Sequence, residues 1–234
     1  MRGQLNMRFK DVFSIIGPAM VGPSSSHTAG AVRIGRVARH ILGDLPEKAD
    51  ILFYGSFADT YRGHGTDLAI VGGLLDFDTD DPRIPSSLAI AEQLGVEINF
   101  APGKGQFPHP NTAKIIARRG EREITVIGAS IGGGNIEMLG VNEFDVKFTA
   151  MYPTLILFHN DRPGMIADAT RVLSRENVNI GHMSVDRKGR SGEALTVIDT
   201  DNSLTDDIIR EIAGLDTVRD VRLVDLTAGG GRPS

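Results

Sequence analysis

The residues with the greatest chemical capacity in this sequence stand at Ser24-Ser25-Ser26-His27-Thr28, flanked by Gly22-Pro23 and Ala29-Gly30. Hydroxyls and an imidazole crowd together just ahead of an amphipathic run. That run predicts a helix from Ala29 to Leu42, with Val32, Val37, Ile41 and Leu42 turned inward. A helix start offers unpaired backbone N–H groups and the positive end of the helix dipole, so the segment can hold a carboxylate or phosphate. His27 adds a group that exchanges a proton near neutral pH. The same residues also suffice for an ordinary N-cap, which needs only one hydroxyl.

Two further histidines sit in unusual surroundings. Gly63-His64-Gly65-Thr66-Asp67 places an imidazole between glycines, where a ligand can approach closely and a general base can work. Read blandly, Thr66 and Asp67 cap the following helix. In Phe107-Pro108-His109-Pro110-Asn111-Thr112, prolines stiffen the backbone around His109, as they would in any rigid loop. Ser130-Ile131-Gly132-Gly133-Gly134-Asn135 ends a strand with a glycine run, which suits either an anion or a tight turn. The spacing of His27, His64 and His109 matches no short metal-binding pattern, so no metal is assigned to this chain. His40, in a helix, and His182, in a strand, read as packing or surface residues.

In the second half, His159-Asn160-Asp161-Arg162-Pro163-Gly164 closes a strand and opens a helix, and Asn179 begins a neighbouring strand. The helix start can take a carboxylate and Asp161 an ammonium, a pairing that suits an amino acid. A plain Pro-Gly turn would use the same residues.

The elements that carry these residues divide the chain into an α+β first half, 1–149, and a compact unit, 150–227, followed by a frayed tail, 228–234. The second unit reads as strand, helix, strand, strand, helix, strand: a ferredoxin-like βαββαβ order. Its turn is Lys188-Gly189-Arg190-Ser191-Gly192, and Ser203-Leu204-Thr205-Asp206 caps its second helix over Ile208, Ile209 and Ile212. The first half predicts a strand at Ile51–Tyr54, helices at Asp67–Leu75 and Ser87–Leu94, and a hairpin of Thr112–Ala117 with Glu123–Ile131. The boundary near Lys147–Tyr152 lacks a Pro/Gly/Ser linker, so the halves are expected to touch.

Composition narrows the function classes. The net charge of -5 is mild and both signs are interspersed, which argues against a nucleic-acid partner. No apolar run is long enough to span a bilayer, and residues 1–13 lack the apolar core of a signal peptide, so a cytoplasmic protein is expected. The chain has no cysteine and cannot by itself ligate an iron–sulfur cluster.

The segments GPSSSHTAGAVRIGRVAR, YGSFADTYRGHGTDLAIVGGL, FPHPNT and ASIGGGNI together resemble the β chain of the bacterial iron–sulfur L-serine dehydratases. The second half, through its βαββαβ order and HNDRPG…VNI, resembles an ACT domain, a small-molecule sensor found on amino-acid enzymes. The resemblance spans nearly the whole chain. It implies an allosteric-substrate-binding-like α+β domain followed by the ACT domain. It also implies a two-chain enzyme that converts L-serine to pyruvate and ammonia, with a [4Fe-4S] cluster held by the cysteines of a partner α chain. Carried over by motif, His64 is the α-proton base or its close partner. Ser25, Ser26, His27 and Thr28 line the substrate and cluster pocket, and His109 and Asn111 complete this chain's face. The ACT resemblance puts an amino-acid effector at His159, Asp161 and Asn179, between two associated ACT units. Several serine-binding ACT domains have Asn at the position of Asp161, a departure that leaves the effector open. A related first-half domain also occurs in phosphoglycerate dehydrogenases, where it binds an anion. The competing reading is therefore a regulatory amino-acid- or anion-binding subunit without catalytic residues.

Overall fold

A computed structural model describes residues 20–22, 24–189 and 192–227. The expected tail and the centre of the Lys188–Gly192 turn lie outside the described residues.

The first half is built around one helix, α1 (Gly30–Leu42). Its residues are buried almost all round, including Ala31, Val32, Ile34, Val37, Ala38, Ile41 and Leu42, so it forms the centre of the half instead of a surface layer. Gly43, at φ 89°, ends it by returning its N–H to the Arg39 carbonyl. The remaining elements are β1 (Lys48–Tyr54), α2 (Ser56–Thr60), α3 (Thr66–Leu74), α4 (Ser87–Gln93), β2 (Glu97–Pro102), β3 (Thr112–Arg119), β4 (Arg122–Gly132) and β5 (Asn135–Val141). The strands form one sheet in the order β2-β1-β3-β4-β5, parallel only between β1 and β2. The expected hairpin is β3–β4, and the glycine run is the turn between β4 and β5. Gly132, Gly133 and Gly134 all take positive φ there, and Arg33 reaches the Gly134 carbonyl at 3.4 Å.

Helices α1 and α3 cross at a glycine contact. A Cβ at Gly73 would overlap the Val32 carbonyl oxygen, and one at Gly35 would overlap that of Ile70. Alongside, buried Arg36 spans Asp76 at 3.0 Å and Asp78 at 3.1 Å, so its charge is paired by two carboxylates that keep contact with solvent. His40 completes this cluster, 3.1 Å from Asp76.

The helical start differs from the expected Ala29. Ser25–Ala29 form a π-helical turn that runs straight into α1, with extended Ser24 as its cap. Gly30 closes the wide turn by donating its N–H to the Ser25 carbonyl. The Thr28 N–H and hydroxyl both donate to the Ser24 carbonyl.

The second half contains β6 (Thr154–Asn160), α5 (Met165–Arg175), β7 (Ile180–Arg187), β8 (Glu193–Thr200), α6 (Asp206–Ala213) and β9 (Val218–Val224). Its antiparallel sheet runs β7-β8-β6-β9, the ferredoxin-like arrangement read from the sequence. Alternation along the strands separates the two faces of this sheet. Leu155, Leu157 and Ile198 face α5 and α6, whereas Ile156, Leu195, Val197 and Val224 join the core of the first half. The expected contact between halves is therefore a continuous apolar core. No helix among the described residues is long and apolar enough to cross a membrane.

Candidate active site at the start of the central helix

Two of the candidate histidines come together. The rings of His27 and His64 lie 4.8 Å apart at 86°, edge to face. Phe57 packs against the other side of His27 at 5.3 Å. The His27 ring spans two hydroxyls, with Nδ1 3.3 Å from Ser24 Oγ and Nε2 3.4 Å from Ser56 Oγ. Its backbone N–H donates to Ser24 Oγ. His64 is exposed, on a loop whose Gly65 adopts φ 71° to start α3. The pair thus has an inner, oriented imidazole and an outer, accessible one.

Burial lowers the pKa of His27 below its ordinary 6.5, and the charge of His64 lowers it further. The neutral imidazole is favoured, as a proton acceptor requires. The unfolded chain then takes up this proton more readily than the folded one. The resulting stability is intact above pH 6.5 and is lost as the pH falls toward the folded pKa. Urea midpoints of the wild type should decline between about pH 7 and about pH 5 more steeply than those of His27→Gln. Equal slopes would show that His27 is not held neutral by its surroundings.

Three polar atoms near this helix start are buried and have no hydrogen-bond partner among the described residues: Thr66 Oγ1, Asn111 Oδ1 and Ser130 Oγ. Each such group costs about 1–3 kcal/mol when left unpaired. Thr66 opens α3 just after His64. Ser130 donates its N–H to the Asn111 carbonyl at 2.9 Å, and its hydroxyl occupies the space that a side chain on Gly30 would fill. Ser56 and Ser130 are not site candidates in the sequence reading, and Thr66 enters it only as a helix cap, although each lies within a quoted motif. Strand register and burial, which identify them, are not visible in residue types.

The structure orders the other candidates differently. Ser25 and Ser26 are half-buried within the π-helical turn, not in a loop ahead of a helix. Thr28 is 4% exposed and its hydroxyl is spent on the Ser24 carbonyl, so it shapes the turn and does not line an open pocket. His109 accepts the Asn111 N–H at Nδ1, 3.2 Å away, and makes no ring contact with His27 or His64 among the described residues. Its loop nevertheless abuts the site, because the Phe57 N–H donates to the Pro110 carbonyl and Ser56 beside it reaches His27. Acidic, histidine and cysteine side chains form no metal-binding group among the described residues.

The effector candidates do not meet within one chain. His159 is 3% exposed, with Nε2 2.8 Å from Thr196 Oγ1 and Nδ1 3.0 Å from the Asn160 carbonyl oxygen. Asp161 pairs with Arg187 at 3.1 Å. Asn179 bonds Asp201 at the other end of the sheet, where Ile180 pairs with Thr200. The cause is that β6 and β7 both pair antiparallel with β8 and so run parallel to each other, which puts the start of β7 at the end of the sheet where β6 begins.

Comparison with known proteins agrees with this architecture. An ACT domain model matches residues 154–217, so the second half is an ACT domain, the class of unit its strand order defines. A serine dehydratase beta chain model matches residues 9–97. A probable L-serine dehydratase beta chain of Bacillus subtilis is 48% identical, covering 91% of this chain and 96% of the relative. The L-serine dehydratase beta chain of Peptoniphilus asaccharolyticus is 36% identical over 92% of this chain and 97% of its own length. The D-3-phosphoglycerate dehydrogenase of Bacillus subtilis is 24% identical, covering 84% of this chain and 37% of that one. The chain belongs to the L-serine dehydratase beta-chain family.

Proposed function

We propose that this chain supplies one wall of an active site that converts L-serine to pyruvate and ammonia, completed by an α chain. The observation that carries this reading is the His27–His64 pair at the start of α1, 4.8 Å ring to ring, with His27 held toward its neutral form. An amino-acid substrate presents a carboxylate to the helix start and a weakly acidic α proton to an imidazole. His64 accepts that proton as the Cα–H bond breaks and the electron pair forms the Cα=Cβ bond. His27 orients it from behind, fixed by Ser24 and Ser56. The Cβ–O bond breaks, and the departing hydroxide takes up the proton that His64 received, leaving as water and restoring the base. The resulting 2-aminoacrylate tautomerises to the imine and hydrolyses to pyruvate and ammonia.

This sequence, with no cysteine, offers no thiolate to a [4Fe-4S] cluster. We place the cluster on the α chain, where it supplies Lewis acidity toward the departing hydroxyl. The ACT domain senses an amino acid. Asn179 and Asp161 lie at opposite ends of one sheet, so we place an effector that touches both between two associated ACT units.

The reading is tested by assaying the chain alone and after mixing with a cluster-bearing serine dehydratase α chain. Pyruvate should form from L-serine only in the mixture. Turnover by the α chain alone at the rate of the mixture would leave this chain as a regulatory subunit and overturn the proposal.

A further inference from the structure

A second place for a small ligand lies on the face of the first sheet turned away from its buried core residues, where the two halves face each other. A cavity of about 490 Å³ opens between the outer face of the first sheet and the end of the second. This volume falls in the range of small-molecule sites. The first half contributes Lys114, Thr125 and Phe144, and the second contributes Phe158, His159 and Arg219.

The charges around this cavity are not equivalent. Lys188 is paired with Glu143 and lies 4.8 Å over the Phe144 ring. Arg219 is paired with Glu193, and Glu123 with Arg118. Lys114 stands on the cavity wall with no carboxylate or hydrogen-bond partner among the described residues. It projects from β3, a central strand, on the opposite face from the buried Ala113 and Ile115. Phe144 and Phe158 give the cavity an apolar wall. His159 is fixed by Thr196 and by the Asn160 carbonyl, so that side of the wall is rigid.

We propose that this cleft binds a small carboxylate, with Lys114 as the charge that anchors it. An unpaired ammonium beside an apolar wall and a polar rim matches a carboxylate carried on a short carbon skeleton. The site is built from both halves of one chain, so it needs no second copy. It stands apart from the dehydratase reading because its evidence is binding, not turnover. Two sources share the chemistry, α-keto acids and α-amino acids, and the experiment separates them.

The test uses the full chain, titrated calorimetrically with pyruvate and, separately, with L-serine. Each titration is repeated on Lys114→Met, Lys114→Arg and His64→Ala. For one of the two ligands, Lys114→Met should weaken binding at least about tenfold, the loss expected for one charge-assisted hydrogen bond. Lys114→Arg should retain most of the affinity, and His64→Ala all of it. Circular dichroism of Lys114→Met should match the wild type, since the residue has no partner to lose. Binding that depends on His64 and ignores Lys114 would assign the ligand to the helix start and overturn the proposal. Absence of measurable binding by either ligand at millimolar concentration would overturn it equally. Neither result depends on whether the chain forms an active dehydratase.

Discussion

Replacing His64 with alanine should lower kcat of the reconstituted two-chain enzyme by roughly 10²–10⁴-fold, the usual contribution of a positioned general base. The substitution should cost little in folding, because His64 is exposed and its ring packs edge to face on His27. With the cluster on the α chain, as proposed, cluster content should be unchanged. The effect should fall on kcat more than on KM if His64 acts on the proton and not on the carboxylate. His27→Ala offers an instructive contrast. It removes the oriented partner and the contacts with Ser24, Ser56 and Phe57, so both activity and stability should fall. Near-normal kcat in His64→Ala would remove this residue from the proton path and shift attention to His27 or His109.

The largest expected stability effect comes from a residue without a side chain. Gly73→Ala should destabilise the chain by about 3 kcal/mol, the upper end for overpacking, because the new methyl meets backbone on every side. It would overlap the Val32 carbonyl oxygen and stand 2.8 Å from the Arg36 nitrogen and 2.9 Å from the Gly35 Cα. None of these atoms can swing aside without separating α1 from α3. For a chain of this length the change corresponds to a Tm lower by roughly 6–12 °C. The adjacent Gly72→Ala is the control. Its methyl would meet the side chains of Ile84 at 3.2 Å and Phe77 at 3.6 Å, which can yield, and alanine favours the helix by about 1 kcal/mol. Gly72→Ala should therefore be near neutral. Comparable losses in both variants would mean that the helix crossing is not set by glycine contact.

Much of the fold can be read from apolar spacing, and the exceptions have physical causes. The ACT half is legible because β6 and β8 are short apolar runs bounded by turns and each helix carries one apolar stripe, as in Ile208 and Ile212 beneath the Thr205 cap. In the first half, α3 is apolar all round, so it shows no stripe, yet its length and position are legible from Asp67 to Leu75. Strand β2 is missed because it is an exposed edge strand, and β5 because it begins directly after three glycines that dominate the local reading. Helix α2 is too short to show a period. At the site, His27 and His64 were legible as residue types, but their proximity was not. It arises because α1 packs on α3, so the segments that precede both helices meet. Thr28 is ambiguous by residue type because a hydroxyl can serve the backbone as readily as a ligand, and its burial and bond to the Ser24 carbonyl display the backbone use. Ser130 and Thr66 required strand register and solvent exclusion to be seen.

The continuous core has a consequence for anyone who would treat the ACT half as a portable part. Excising it would uncover Ile156, Leu195, Val197 and Val224, a greasy stripe along one whole side of its sheet, and would strip the matching cover from the first half. Neither fragment would be expected to survive well by itself, and a graft onto another enzyme would need that stripe repainted with polar residues. The two halves are expected to unfold together, so any signal between them would travel by small shifts through packed side chains and not by a free swing at a joint.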